Sequence, residues 1–231
     1  MREACRTAPN AEFHYGDPRG SHRLREVLAA YRRRVRAMDV DPGQVLVCTG
    51  ARQGLGLVLR ALAARGVDRV AFEFPGEVTG VPAAVRWAGL AAVPVAVDEQ
   101  GIDVAAFDTS GAAAVLVTPV HQWPTGIVLA AARRLELVAW AVRRGAVIIE
   151  DDYDAEFRYD REPVGSLQGL APDHVVTRHR QQVPGSRPAA GLDRQPLYAG
   201  RRPRANEGPG RPRLSGTGPD RAGRAHRGRA L

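Results

Sequence analysis

The chain contains no lysine; all 33 residues in its basic tally are arginine. That excludes chemistry routed through a side-chain primary amine, because a guanidinium stays protonated and forms no Schiff base. Cysteine is scarce as well. Cys5 and Cys48 are the whole supply, too few and too far apart for a disulfide framework or a metal site. No apolar run is long enough to cross a bilayer, Met1 opens no signal-peptide pattern, and no segment repeats at a fixed period. This composition suits a reducing cytoplasm.

What charge there is lies unevenly. The net charge is +8, yet residues 1–176 hold 20 Arg against 22 acids, and residues 177–231 hold 13 Arg against 3 acids. The whole excess sits in the last quarter, which is rich in Gly, Pro and Arg and poor in apolar residues. Such a segment buries too little surface to offset chain entropy, so 177–231 is expected to be disordered. Spread arginines of this kind also bind phosphates without sequence preference. An alternative reading is therefore a nucleic-acid-binding protein acting through its tail, although Tyr198 is the tail's one aromatic for base stacking.

Residues 15–176 alternate between two periodicities. Leu24, Val27, Leu28, Tyr31 and Val35 predict a helix over 21–36, and Leu55, Val58, Leu59 and Leu62 another over 51–65. Further helices are expected at 81–88, where Pro82 is tolerated in a first turn, and at 129–144. Strands are expected at 45–48, 69–74, 91–97, 113–118 and 146–150. The last has no polar alternation, the mark of a strand covered on both faces. This order argues for an α/β fold with a mainly parallel sheet and helices on both sides.

Four strings stand out. Tyr15-Gly16-Asp17-Pro18-Arg19-Gly20 is a turn feeding a helix, with Ser21 placed to cap it. Thr49-Gly50-Ala51-Arg52-Gln53 joins a strand to a helix, where unpaired backbone N–H groups suit a phosphate. Thr118-Pro119-Val120-His121-Gln122-Trp123-Pro124-Thr125-Gly126 is a long loop after a strand, the place where parallel sheets bind ligands. Ile148-Ile149-Glu150-Asp151-Asp152-Tyr153-Asp154 and onward to Asp160 ends a buried strand in carboxylates, which are costly there unless they meet a cation, a metal or a ligand. A hard cation is one reading, a carboxylate paired to a protonated pyridine nitrogen another, and a solvated acidic loop a third.

Taken together, in this order and spacing, these strings resemble the aminotransferase-like domain of MocR/GntR-type regulators, which join a winged-helix DNA-binding domain to a fold-type-I pyridoxal-phosphate domain. The resemblance runs from Tyr15 to Val176. It implies an incomplete three-layer large domain, pyridoxal 5′-phosphate as cofactor, an amino acid or amine as small-molecule partner, and a homodimer. It assigns Asp151 to the pyridine nitrogen, Tyr153 to the ring hydroxyl, and Gly50, Ala51 and Arg52 to the phosphate. His121 would line the cofactor's edge, and Tyr15 would lie on the substrate side at a dimer interface. Residues 1–14 would be an N-terminal remnant with no winged-helix domain.

Two departures limit the resemblance. Glu73-Phe74-Pro75-Gly76 matches the family's turn, but Glu77 follows where an aromatic normally stacks on the ring, and a contact of about 1 kcal/mol is lost. After Asp173-His174-Val175-Val176 the family continues into a strand, a turn carrying the Schiff-base lysine, and a Leu-Arg-Leu-Gly strand. This chain has Thr177-Arg178-His179-Arg180-Gln181-Gln182-Val183-Pro184 instead. Codons can be chosen for Thr177 to Arg194 that, read one nucleotide later, encode RGTASKSLAPGLRLGWI, so the segment is compatible with that shifted reading. The lysine arises across the codons of Gln182 and Val183. The tail therefore reads as an out-of-frame product. Transamination by this chain is not expected, covalent attachment of the cofactor through lysine is excluded, and weak non-covalent binding is what remains.

Overall fold

The computed structural model describes residues 6–7, 15–76, 80–153, 165–179 and 195–198. Glu77, the stretch from Asp154 to Asp160, and most of 1–14 and 177–231 lie outside them. The helices are α1 (His22–Arg36), α2 (Ala51–Ala64), α3 (Gly80–Trp87), α4 (Val104–Thr109) and α5 (Ala131–Arg144). The strands are β1 (Val45–Cys48), β2 (Arg69–Phe74), β3 (Ala91–Asp98), β4 (Gly101–Ile102), β5 (Ala114–Val117), β6 (Val147–Asp152), β7 (Val175–His179) and β8 (Gln195–Tyr198). No helix among the described residues is long and apolar enough to cross a membrane.

The sheet order is β1-β8-β7-β6-β5-β2-β3-β4. Pairings between β7, β6, β5, β2 and β3 are parallel, while β8 lies antiparallel to both neighbours. Apolar side chains cover both faces. On one, Val115, Ile148 and Val175 pack with Phe107 of α4 and with Leu137 and Trp140 of α5. On the other, Val70, Phe72, Leu116 and Ile149 pack with Leu55, Leu59 and Leu62 of α2 and with Val85 of α3. Ile148 and Ile149, adjacent in β6 and both fully buried, serve opposite cores, as the two-residue period of a strand between two helical layers requires. The Phe107 and Trp140 rings lie 4.0 Å apart at 50°. The Trp140 indole N–H donates to Asp108 at 2.7 Å, so this buried ring keeps its polar handle satisfied.

Three expectations change. The helix at 22–36 forms, but of its apolar stripe only Leu28 is buried. Leu24, Val27 and Val35 are exposed, and the inward face carries Arg25, Leu28, Ala29, Arg32 and Arg36. Carboxylates waiting inside select the arginines over the apolar face. Ser21 stands at the cap position without a side-chain capping bond. Arg25 does the anchoring, donating to Gly20 O at 3.0 Å and to Asp17 at 2.8 Å. Gly20 is needed there, since its φ is +99° and a Cβ would lie 2.7 Å from the Val47 side chain. Finally, two pieces of the segment expected to lack structure depart from that expectation. β7 continues past Val176 to His179, and Gln195–Tyr198 forms β8. Both pair through backbone N–H and C=O groups of neighbouring strands that must otherwise find partners.

Candidate functional site

The carboxyl ends of β2, β5 and β6 open on one side of the sheet, beside the start of α2. A cavity of about 460 Å3 lies there, in the position where ligands sit in open parallel sheets. Its phosphate-sized corner is the first turn of α2. Ala51 and Arg52 line it, and Gly50 precedes them in an extended conformation. No side chain caps this helix. Gln53 instead folds back to accept from Thr49 N and Oγ1 at 2.6 and 2.8 Å. The N–H groups of the first turn have no carbonyl partners within the helix, and that suits an anion.

The loop after β5 forms a second wall, organised by Gln122. This buried amide donates to Pro75 O at 2.6 Å and accepts from Thr125 Oγ1 at 2.5 Å. Thr118 donates from N (3.0 Å) and Oγ1 (2.5 Å) to one oxygen of Glu73. Burial pushes the Glu73 carboxyl up to about 7, against the pull of the Thr118 donors, and Asp151 adds to the rise. Gly126 closes the loop at φ +73°. Trp123 stands exposed on the rim.

The acidic strand end divides by the alternation of β6. Glu150 and Asp152 are fully buried on the side away from the cavity. Asp152 receives both Nε (3.1 Å) and Nη2 (2.9 Å) of Arg36, a two-pronged pair, and Arg32 approaches to 3.6 Å. Glu150 accepts from Ser166 Oγ, from Leu167 N at 3.0 Å and from Thr177 Oγ1 at 3.1 Å. Burial pushes its carboxyl up, and Asp152 adds to the rise. Asp151, between them, faces the cavity together with Tyr153. The Tyr153 hydroxyl donates to His121 O at 3.0 Å and lies 3.2 Å from its Nδ1.

A residue absent from the sequence-based site completes the wall. Arg178 pairs with Asp151 across the β6–β7 register and bonds its carboxylate through Nη2. It comes from the segment read as a solvated basic tail, so charge composition alone pointed away from it. Only the chemistry of a buried carboxylate needing a cation was a signal for it.

The pattern of the aminotransferase class I and II family matches residues 2–177. This chain belongs to that family. Within it, the chain is 39% identical over 177 residues to the HTH-type pyridoxine biosynthesis transcriptional regulator PdxR of Corynebacterium glutamicum, covering 76% of this chain and 37% of the relative. It is 34% identical over 151 residues to the probable rhizopine catabolism regulatory protein MocR of Rhizobium meliloti, covering 65% and 30%. An archaeal alanine:glyoxylate aminotransferase superposes with a TM-score of 0.72 at 25% identity, over 86% of this chain and 50% of that structure. The chain thus spans about a third of the length of the curated relatives it matches. Fold-type-I architecture and pyridoxal 5′-phosphate as the cofactor are properties of this family.

Against that family background the predicted residues sort plainly. Ala51, Arg52, Asp151 and Tyr153 share the cavity, and His121 reaches it through Tyr153. Gly50 sits at the helix cap, whereas Tyr15 is fully exposed and is not part of the cavity wall. Among the described residues, no three His, Cys, Asp or Glu side chains converge as metal ligands, while Asp154, Glu156 and Asp160 of the acidic string lie outside the described residues. The family's cofactor fits this wall at one end only. The first turn of α2 suits its phosphate, but the Asp151 carboxylate already holds Arg178, and the chain has no lysine for a covalent tether.

Proposed function

We propose that this chain is an aminotransferase-like sensing domain of MocR/GntR type that binds pyridoxal phosphate or a related phosphate ester without covalent attachment and does not transaminate. One observation carries the reading. The cavity pairs a helix start suited to phosphate (Ala51, Arg52) with Asp151 and Tyr153, in a chain with no side-chain amine. Tyr153 holds the His121 loop against the wall, Gln122 keeps that loop rigid, and Arg52 adds positive charge at the phosphate end. A small amine or amino acid is the effector class that this cavity suits, and a second copy of the chain is the partner we assign to the exposed α1 stripe of Leu24, Val27 and Val35. We attribute the missing lysine to the change of reading register after Val176, which sequencing the gene across codons 170–235 checks directly.

The deciding experiment is incubation with pyridoxal phosphate, borohydride reduction and peptide mass spectrometry. We expect no cofactor adduct on any side chain and no amino transfer above the protein-free rate. A stable side-chain adduct, or turnover of an amino acid with an oxo acid, overturns the proposal. Saturable binding measured by calorimetry, without an adduct, supports it.

A further inference from the structure

Arg178 is nine-tenths buried and is set into the cavity wall between the two ends of the site. Its Nη2 is bonded to Asp151, and its Nη1 stands 3.5 Å from Ala51 O at the start of α2. Its Nε is buried with no hydrogen-bond partner among the described residues. The side chain therefore runs from the carboxylate toward the helix start, along the line that a ring joining those two ends would follow. Asp151 and Arg178 are register neighbours on parallel strands, so their side chains leave the sheet on the same face.

We propose that Arg178 is a built-in counter-ion that occupies the cation place at Asp151, so that the cavity disfavours a protonated ring nitrogen and binds mainly through its phosphate end. The inference rests on the cavity reading given above and adds the ligand class. The site favours phosphate esters whose ring carries no positive charge over pyridinium phosphates. A carboxylate that already holds a guanidinium gains little from a second cation, and that cation must displace a charge-assisted bond to enter. The orphaned Nε adds an N–H that an anionic or carbonyl oxygen would satisfy.

The test is calorimetric titration of the 231-residue chain and of Arg178→Gly with two ligands. Pyridoxine 5′-phosphate has the ring nitrogen and phosphate without an aldehyde. Benzyl phosphate has the phosphate and ring without the nitrogen. We expect Arg178→Gly to bind pyridoxine phosphate about tenfold tighter or better, with benzyl phosphate unchanged or weaker. Arg178→Gln, which keeps polar atoms in the wall, should shift the same way and guards against a folding defect in the glycine variant. Equal gains for both ligands mean that glycine only makes room, and they overturn the charge argument. No gain for pyridoxine phosphate, with benzyl phosphate still binding, overturns the inference and leaves the cavity reading standing. Absence of binding by either phosphate to every chain removes both.

Discussion

Glu73 sits where a neutral acid is more comfortable than an anion. It is buried, faces Asp151, and has its carboxyl raised to about 7. The folded protein therefore holds a proton that the unfolded chain releases near pH 4.5. The stability linked to this proton is present in full below that lower value and is lost as pH rises through about 7. Glu73→Gln removes the charge and keeps an acceptor for Thr118. Urea unfolding should show parent and variant equal near pH 4, with the variant more stable by about 1–3 kcal/mol at pH 8. Equal stability of the two at pH 8 refutes the buried neutral acid. The Arg178–Asp151 pair, by contrast, predicts sensitivity to the partner's identity rather than to pH. Neither residue's partner was legible beforehand. Asp151 was recognisable from its string, while Arg178 lay in a segment whose composition says solvent.

Helix α1 shows why periodicity locates an element more easily than it orients one. Its apolar spacing gave the extent of the helix within a residue, yet the buried side is the one bearing Arg25, Arg32 and Arg36. The buried carboxylate of Asp152 outweighs the apolar stripe, because an unpaired charge inside costs more than an exposed valine. Arg36→Ala should lower unfolding free energy by about 3–5 kcal/mol, since it leaves Asp152 buried without its two-pronged partner. A loss below 1 kcal/mol in denaturant melts would mean that Arg32 alone suffices. The strands expected at 45–48, 69–74 and 91–97 were legible because each is a short apolar or alternating run bounded by turn residues. The short α4 and β4 were not, being too brief for a period to register. β8 lay in the segment whose Gly, Pro and Arg content gave no strand pattern to read.

At the scale of the molecule, two apolar layers sandwich one sheet. Leu59, fully buried between α2 and the sheet, is a fair gauge of that packing. Leu59→Ala should cost about 2–5 kcal/mol in chemical unfolding. The three-layer class followed from the alternation of periods, but the strand order did not, since crossovers are fixed by which edges remain open. In the described structure β1 pairs with β8 and with no other strand. Deleting residues 181–231 should therefore strip the β1 amides of hydrogen-exchange protection while β5 and β6 keep theirs. Unchanged protection of Val45 to Cys48 would mean that the tail contributes nothing to the sheet.

That pairing between the first and last described strands has a consequence for synthesis. On the ribosome, β1 emerges about 150 residues before the strand that flanks it, and a contact that distant forms late. Until then the nascent chain carries a naked strand edge, open to another copy in the same condition. Yield in a cell would then be governed by how long that edge waits, more than by the strength of the finished core.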